Sequence, residues 1–379
     1  MSTVRLPIVR PTLPTREAFA AALAESYDSG VVTLGRNVRA LEEEARLATG
    51  AQHAVAVSNC TSGLMLSYRA LGCSLGGEVI CPSFTFAATA HAIVWNGLVP
   101  VFVDSLPGTC TIDPRQIERA LSSRTVAICP VYVYGLPPDM EQIRAIARRA
   151  GVPVVSDSAQ GLGATYQGFP AGTWADLEVF SLSPTKVVTA IEGGLVTTDH
   201  ADLAEKARSL RDYGKALDGP MALEDMAEIG LSARMSELHG TVGLLNLRAR
   251  EQLVSARLRL IALYRERLGK LPGCSVQTHP QNRTTSGNYF VLFISDSANH
   301  SRDQVHDALK DRGIQTKRYF YPPVHAQTAQ KKYPMRVVGD LPNTRKASRE
   351  ALALPLYCHM TQEQLDEVCR AVEQQLAQK

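Results

Sequence analysis

The stretch TVAICPVYVYGLPPDMEQIRAIARRAGVPVVSD covers residues 125–157, and its reading decides the fold class. TVAICPVYVYG (125–135) predicts a buried strand with an extension. DMEQIRAIARRAG (139–151) predicts a helix, with Asp139 and Gln142 placed for a capping box and Gly151 at the stop. VPVVSD (152–157) predicts the next strand. The same rhythm runs upstream: HAVAVSN (53–59) as strand, TSGLMLSYRALG (61–72) as helix, EVICPS (78–83) as strand, a helix near 86–96, then VPVFVD (99–104) as strand. These strands are rich in Val and Ile and apolar nearly throughout, as in a parallel sheet covered on both faces. Repeated βαβ units predict a three-layer α/β domain.

At 379 residues the chain is long for one core, so two subdomains are expected. We place a large domain at 1–240 and a smaller α+β domain at 241–379. SELHGTVGLLNLRAREQLVSARLRLIALYRERLG (236–269) reads as one long connecting helix between them. Beyond it, NYFVLFIS (288–295) and IQTKRYFY (314–321) read as strands. SRDQVHDALKDRG (301–313) reads as a helix with a Ser301/Gln304 capping box, and TQEQLDEVCRAVEQQL (361–376) as a final helix capped by Thr361. Hydrophobic residues make up 45% and charged residues 20%, with a formal net charge of +3. No run of five basic residues occurs, which argues against a polyanion-binding protein. The eight cysteines, at 60, 73, 81, 110, 129, 274, 358 and 369, include no CxxC pair, so no metal site or redox dithiol is expected. The N-terminus lacks the apolar core of a secretory signal, and no apolar stretch reaches 18 residues. A cytoplasmic protein without membrane or nucleic-acid partners is expected.

In open α/β sheets, ligands bind beyond the carboxyl ends of strands. Three features fall there. VSNCTSG (57–63) runs a strand into hydroxyl residues and a helix start, which suits a phosphate but also suits plain helix capping. VVSDSAQG (154–161) ends a very apolar strand on Asp157, either as a cap or ion pair or as a partner for a ligand cation. SLSPTKVVTAIEGGLV (181–196) carries Lys186 in a small-residue loop, where a solvated lysine is the ordinary alternative. Together, a phosphate cradle, a strand-end carboxylate and a loop lysine are the parts that hold pyridoxal phosphate. The carboxylate keeps the ring nitrogen protonated, and the lysine forms a Schiff base. A Rossmann oxidoreductase is disfavoured, since no GxGxxG follows the first strand.

The chain resembles the DegT/StrS sugar aminotransferases, of the fold-type-I pyridoxal-phosphate architecture. The resemblance runs from VTLGRNVRALEEE (32–44) to LALPLY (352–357). Its most specific pieces are CPSFTFAATAHAI (81–93), PVFVD (100–104), SDSAQGLGATYQG (156–168), FSLSPTK (180–186) with EGG (192–194), ARMSELH (233–239) and RYFYPPVH (318–325). It implies a large domain with a mainly parallel sheet plus a smaller α+β C-terminal domain. It further implies Lys186 as the Schiff-base lysine, Asp157 as partner of the pyridinium nitrogen, Gln160 at the phenolic oxygen and Phe86 on the ring face. Ser181, Thr61 and Ser62 would serve the phosphate. In two places the chain departs from the family. Ser232 replaces an asparagine that reaches the neighbouring subunit's phosphate, so that contact would need a water. Ile191 replaces a small residue before EGG and is expected to narrow the loop. Glycines 193 and 194 are expected to let backbone pass close to the cofactor.

The implied reaction is ping-pong transamination from glutamate to a keto-sugar, the cofactor alternating between pyridoxal and pyridoxamine 5′-phosphate. Freed Lys186 would act as the acid/base, which requires a neutral amine. The CPSFTFAATAHAI and RYFYPPVH forms are most similar to members that aminate C4 of a nucleotide-linked 4-keto-6-deoxyhexose in deoxyaminosugar biosynthesis. His325, Tyr321 and Lys317 either face that substrate or build a turn around Pro322 and Pro323. The family implies a homodimer. Amination of a cyclitol ketone or sugar-acid aldehyde would use the same cofactor residues. A non-catalytic pyridoxal-phosphate-binding regulator would be free to lose Lys186 or Asp157, and both are present.

Overall fold

A computed structural model describes residues 4–216 and 224–377. The 125–157 segment folds as strand Thr125–Ile128, helix Met140–Ala150 and strand Val155–Asp157. Asp139 accepts from the Gln142 N–H, and Gly151 ends the helix in the left-handed region at φ 65°. The Gln142 amide returns to the Asp139 carboxylate at 3.1 Å, so this capping box is one-sided. The expected extension to residue 135 does not form a strand. Pro130 has no N–H to give a ladder, and Tyr134 turns the chain at φ 59°.

Two four-stranded ladders make up the central sheet. One runs His53–Val57, Gly194–Thr198, Leu177–Ser181, Val155–Asp157. The other runs Arg336–Val337, Val99–Val103, Glu78–Pro82, Thr125–Ile128. Parallel bridges from Ile128 to Val154 and from Val131 to Asp157 join them. Gly194–Thr198 runs against both its neighbours; the other pairings in the two ladders are parallel. Alternation along the strands separates two cores. Val55, Val57, Val79, Phe102 and Val179 face helices Cys60–Ala70, Ala87–Trp95 and Ala201–Leu210. Ala54, Ala56, Ile80, Val101 and Phe180 face helices Arg36–Thr49, Met140–Ala150 and Glu237–Arg248. Each fully buried Val, Ile or Phe side chain contributes roughly 1.5–3 kcal/mol. The strands are apolar on both sides because both sides are roofed.

The single helix expected over 236–269 is two, Glu237–Arg248 and Arg250–Leu268, broken at Ala249 (φ −89°, ψ 5°). Leu244 and Leu247 pack under the central sheet, whereas Leu260, Ile261 and Tyr264 pack into a third core with the C-terminal helix Gln362–Ala377. Two cores in different places demand a change of axis. The third core covers an antiparallel sheet of Cys274–Val276, Phe290–Ile294 and Ala351–Leu354. IQTKRYFY does not form a continuous strand. Ile314 bridges Leu6 and Lys317 bridges Ala353, after which the chain turns through a Tyr321 N–H to Arg318 C=O bond. Phe320 leaves the strand direction to pack on Phe84 and Tyr134, with centroids at 5.4 and 5.9 Å. Among the described residues, no helix is long and apolar enough to cross a membrane.

Candidate active site

Three neighbouring chain segments meet at one edge of the sheet: the end of strand Val155–Asp157, the end of strand Leu177–Ser181, and the start of helix Cys60–Ala70. They enclose a cavity of about 360 Å³ that Lys186, Asp157, Gln160, Ser181, Thr61 and Phe86 all line. Residues drawn from more than a hundred positions of sequence are thus brought together.

The lysine loop is closed at its base. Leu182 N–H donates to Gly193 C=O (2.9 Å) and Ala190 N–H to Leu182 C=O (2.8 Å). Asn246 Nδ2 donates to Thr189 C=O (2.8 Å), tying the loop to helix Glu237–Arg248. At its tip, Lys186 has its carbonyl near the fully buried guanidinium of Arg257, at 3.5 Å, and Arg257 also donates to Asn288 C=O at 3.0 Å. No partner for Lys186 Nζ occurs among the described residues.

Asp157 is 4% exposed and meets no cation within ion-pair distance among the described residues. Its Oδ2 accepts from Thr89 Oγ1 at 2.5 Å and its Oδ1 from Ala159 N–H at 3.1 Å. Burial pushes the carboxyl up. The Thr89 and Ala159 hydrogen bonds and nearby Lys186 pull it down, but not enough to cancel the burial. Gln160 keeps a buried Oε1 without a partner. Phe86 stands at the N-terminus of helix Ala87–Trp95 with 59% of its surface exposed, an unusual state for a phenylalanine.

At the other end of the cavity, the hydroxyl residues separate. Asn59 caps helix Cys60–Ala70 by accepting from Ser62 N–H at 2.8 Å. The Ser62 N–H is therefore committed to the cap, and Ser62 does not line the cavity. Thr61 does line it, at the first turn, whose N–H groups lack partners within the helix.

A model of the DegT/DnrJ/EryC1/StrS aminotransferase family matches residues 14–373. Solved structures agree. DesI, solved in the presence of its TDP-sugar product, is 36% identical with TM-score 0.88, the match covering 97% of this chain and 91% of DesI. DesV of S. venezuelae is 30% identical with TM-score 0.90, covering all of both chains. NtdA from Bacillus subtilis, with bound cofactor PMP, is 28% identical with TM-score 0.84, covering 96% of this chain and 82% of NtdA. This chain belongs to the DegT/DnrJ/EryC1/StrS aminotransferase family.

The aminotransferase is pyridoxal-phosphate dependent, and its cavity fits that group. A buried carboxylate without a cation, an amide oxygen without a donor, an exposed aromatic face and a helix N-terminus are what a cationic ring bearing a phenolic oxygen and a phosphate would satisfy. Gly194 packs its strand against the start of helix Cys60–Ala70. A Cβ there would stand 2.7 Å from Asn59 C and 2.8 Å from Cys60 N, so only glycine lets the strand pass the helix start this closely. At Gly193 a Cβ would meet Met235 Cε at 2.8 Å. The nearest atoms to both glycines belong to Asn59, Cys60 and Met235, so what each glycine demonstrably permits is close packing of protein on protein.

Other expected residues lie elsewhere. Ser232 is exposed, does not line the cavity, and accepts from Arg234 Nη2 at 3.1 Å. His325 lines neither this cavity nor its neighbour. It is buried, with Nδ1 2.6 Å from Ser83 Oγ, so it serves the turn after Pro323. Tyr321 and Lys317 line a second cavity of about 380 Å³, which shares Thr85, Phe86, Tyr319 and Phe320 with the first. Ile191 does not narrow the lysine loop. It points outward, 43% exposed, at φ 69°.

Reading the sequence missed several cavity residues. Thr85, one before Phe86 in SFTFAAT, lines the cavity, whereas Thr89, three after it, lies behind the cavity against Asp157. Tyr289, Tyr319 and Phe320 come from the C-terminal part; Tyr319 and Phe320 lie in RYFYPPVH, but nothing local aims them at this cavity.

Proposed function

We propose that this enzyme transfers an amino group from glutamate to a nucleotide-linked 4-keto-6-deoxyhexose, working as a homodimer. The observation that carries the reading is the convergence of Lys186 and the cation-free Asp157 in one cavity beneath an exposed Phe86. In the proposal Asp157 holds the ring nitrogen, Gln160 the phenolic oxygen, Phe86 the ring face, and Ser181 with Thr61 the phosphate. Bound there, pyridoxal phosphate supplies an electron sink for the carbanion left by α-proton removal. Lys186 Nζ would carry the proton to and from the substrate α-carbon, and its tethered loop keeps the amine within reach. Tyr289, Tyr319 and Phe320 cover the cavity from the C-terminal side and help exclude water.

The second cavity supports an anionic acceptor. Lys317, Arg318 and His306 line it, and among the described residues no carboxylate does, although Asp303 pairs with Arg318 from behind at 3.2 Å. His306 Nδ1 is held by Thr316 Oγ1 at 2.5 Å, and burial lowers its pKa, so it would serve as a neutral hydrogen-bonding group beside two cations. Such a pocket, opening beside the reacting centre, suits the diphosphate of a sugar nucleotide. DesI, solved with its TDP-sugar product, supports the same substrate class. For the dimer, Val31, Val32 and Leu238 are exposed apolar side chains on two chain segments joined by the Thr33–Ser236 bridge. Ser232, exposed outside its own cavity, would then reach the neighbour's phosphate through a water.

The test is a half-reaction screen. Glutamate should convert the pyridoxal form to the pyridoxamine form. That form should return only with the right acceptor from a panel of 3-keto and 4-keto nucleotide sugars, cyclitol ketones and sugar aldehydes. Lys186→Ala should lose the borohydride-reducible adduct; an unchanged adduct refutes the lysine assignment. Return with a cyclitol ketone alone refutes the nucleotide sugar.

A further inference from the structure

Thr89 does not touch the cofactor cavity. It is wholly buried, in the first turn of helix Ala87–Trp95, with its hydroxyl 2.5 Å from Asp157 Oδ2. Behind it, Thr85 Oγ1 lies 2.7 Å from Thr89 Oγ1, and Thr85 is also buried. An ionised carboxylate only accepts, so Thr89 must donate to Asp157. Its own oxygen then accepts from Thr85, and the two hydroxyls form a chain polarised toward the carboxylate. With Ala159 N–H on Oδ1, each carboxylate oxygen has one fixed donor. The carboxylate plane is pinned, and lone pairs remain for a third partner.

Thr85 and Thr89 flank Phe86 in sequence. The same segment therefore carries the exposed aromatic face and the hydroxyls that grip the acid. Few other charges act on Asp157. Lys186 faces it from the lysine loop. The Cys60, Cys81 and Cys129 thiols and the Tyr68 phenol also lie near it, and burial pushes all four well up, Cys129 to about 12, so they stay neutral.

We propose that Thr89, oriented by Thr85, is a positioning residue for the transamination, holding the Asp157 carboxylate ionised and in one orientation toward the ring nitrogen of the cofactor. The inference rests on the reading of Asp157 as the ring-nitrogen partner. A purely structural Thr89 would merely satisfy a buried carboxylate. Its loss would then change the melting temperature and nothing in the bound cofactor.

Three holoenzyme variants separate these outcomes: Thr89→Val, which keeps shape and removes the hydroxyl; Thr89→Ser, which keeps the hydroxyl; and Asp157→Asn. The readouts are the pH midpoint of the bound cofactor's visible absorbance and the dissociation constant for pyridoxal phosphate. Thr89→Val should move the midpoint in the direction of Asp157→Asn by about half a pH unit or more, and weaken cofactor binding several-fold. Thr89→Ser should restore both. If Asp157→Asn shifts the midpoint and Thr89→Val leaves it unmoved, Thr89 is structural and the inference falls alone. If Asp157→Asn leaves it unmoved, the ring-nitrogen reading falls and takes the inference with it. Should Thr89→Val fail to fold, Thr85→Val, which removes the orienting donor, must shift the midpoint the same way and Thr85→Ser must restore it; no shift with Thr85→Val overturns the inference.

Discussion

Replacing Asp157 by asparagine should strengthen the empty protein and weaken the loaded one. Burial raises the Asp157 carboxyl above its ordinary 3.8 in the native state. An acid raised on folding stabilises the native state below its ordinary value. That contribution is lost as pH climbs through the raised native one. At neutral pH, the apoenzyme thus holds a buried carboxylate without a cation. Asparagine removes that cost, and its polar atoms still find partners. One side accepts from Ala159 N–H as Oδ1 does now, while the amide donates to Thr89, whose chain to Thr85 can reverse. The loaded enzyme responds oppositely. A carboxylate within 4–6 Å of a cationic group favours its charged form by roughly 1–3 pKa units, about 1.4–4 kcal/mol. Losing it should weaken cofactor retention by about ten- to thousand-fold. Differential scanning fluorimetry between pH 4 and 8, with and without pyridoxal phosphate, reads both effects. The apo Asp157→Asn protein should melt at or above the wild type at pH 7, the two converging toward pH 4, and its cofactor-induced rise should shrink. An apo variant melting several degrees lower at pH 7, or one retaining the cofactor as tightly, refutes the reasoning.

Gly194→Ala should cost about 1–3 kcal/mol, because its Cβ meets backbone at Asn59 and Cys60 that cannot rotate away. Denaturant melts would show the loss, and cofactor retention should fall with it because the helix start moves. Ile191→Gly should stabilise the protein by about 1 kcal/mol, since a β-branched residue at φ 69° is strained and its side chain is partly in solvent; a lower urea midpoint would contradict this. Ser232→Asn should be tolerated and retain cofactor at least as well, read by dialysis against buffer. Complete loss of cofactor would place Ser232 away from any phosphate.

Much of the site was legible because pyridoxal phosphate demands unlike residues at strand ends. Asp157 stood out as a charge closing an apolar strand, and Lys186 as a lysine among small residues. Where the reading stayed open or fell short, distance along the chain was the reason. For His325 the sequence left substrate and turn both open, and Ser83, from 242 positions away, holds it in the turn. Ser62 neighbours Thr61, but its N–H belongs to Asn59. IQTKRYFY has the composition of a strand, yet Phe320 is drawn out of it by Phe84 and Tyr134.

Sequence alone determined the α/β class, the helix caps at Asp139 and Ser301, the family, and the residues expected to hold the cofactor. These follow from local periodicity, capping chemistry and ordered motifs. Tertiary structure decided which hydroxyl faces the cavity, where the long helix breaks, and what surrounds Asp157. Those outcomes depend on partners distant in sequence: Thr89 on Asp157, Asn246 on the lysine loop, Arg257 on the Lys186 carbonyl. Burial converts Asp157 from a surface acid into a carboxylate that needs a cation, and only packing creates burial.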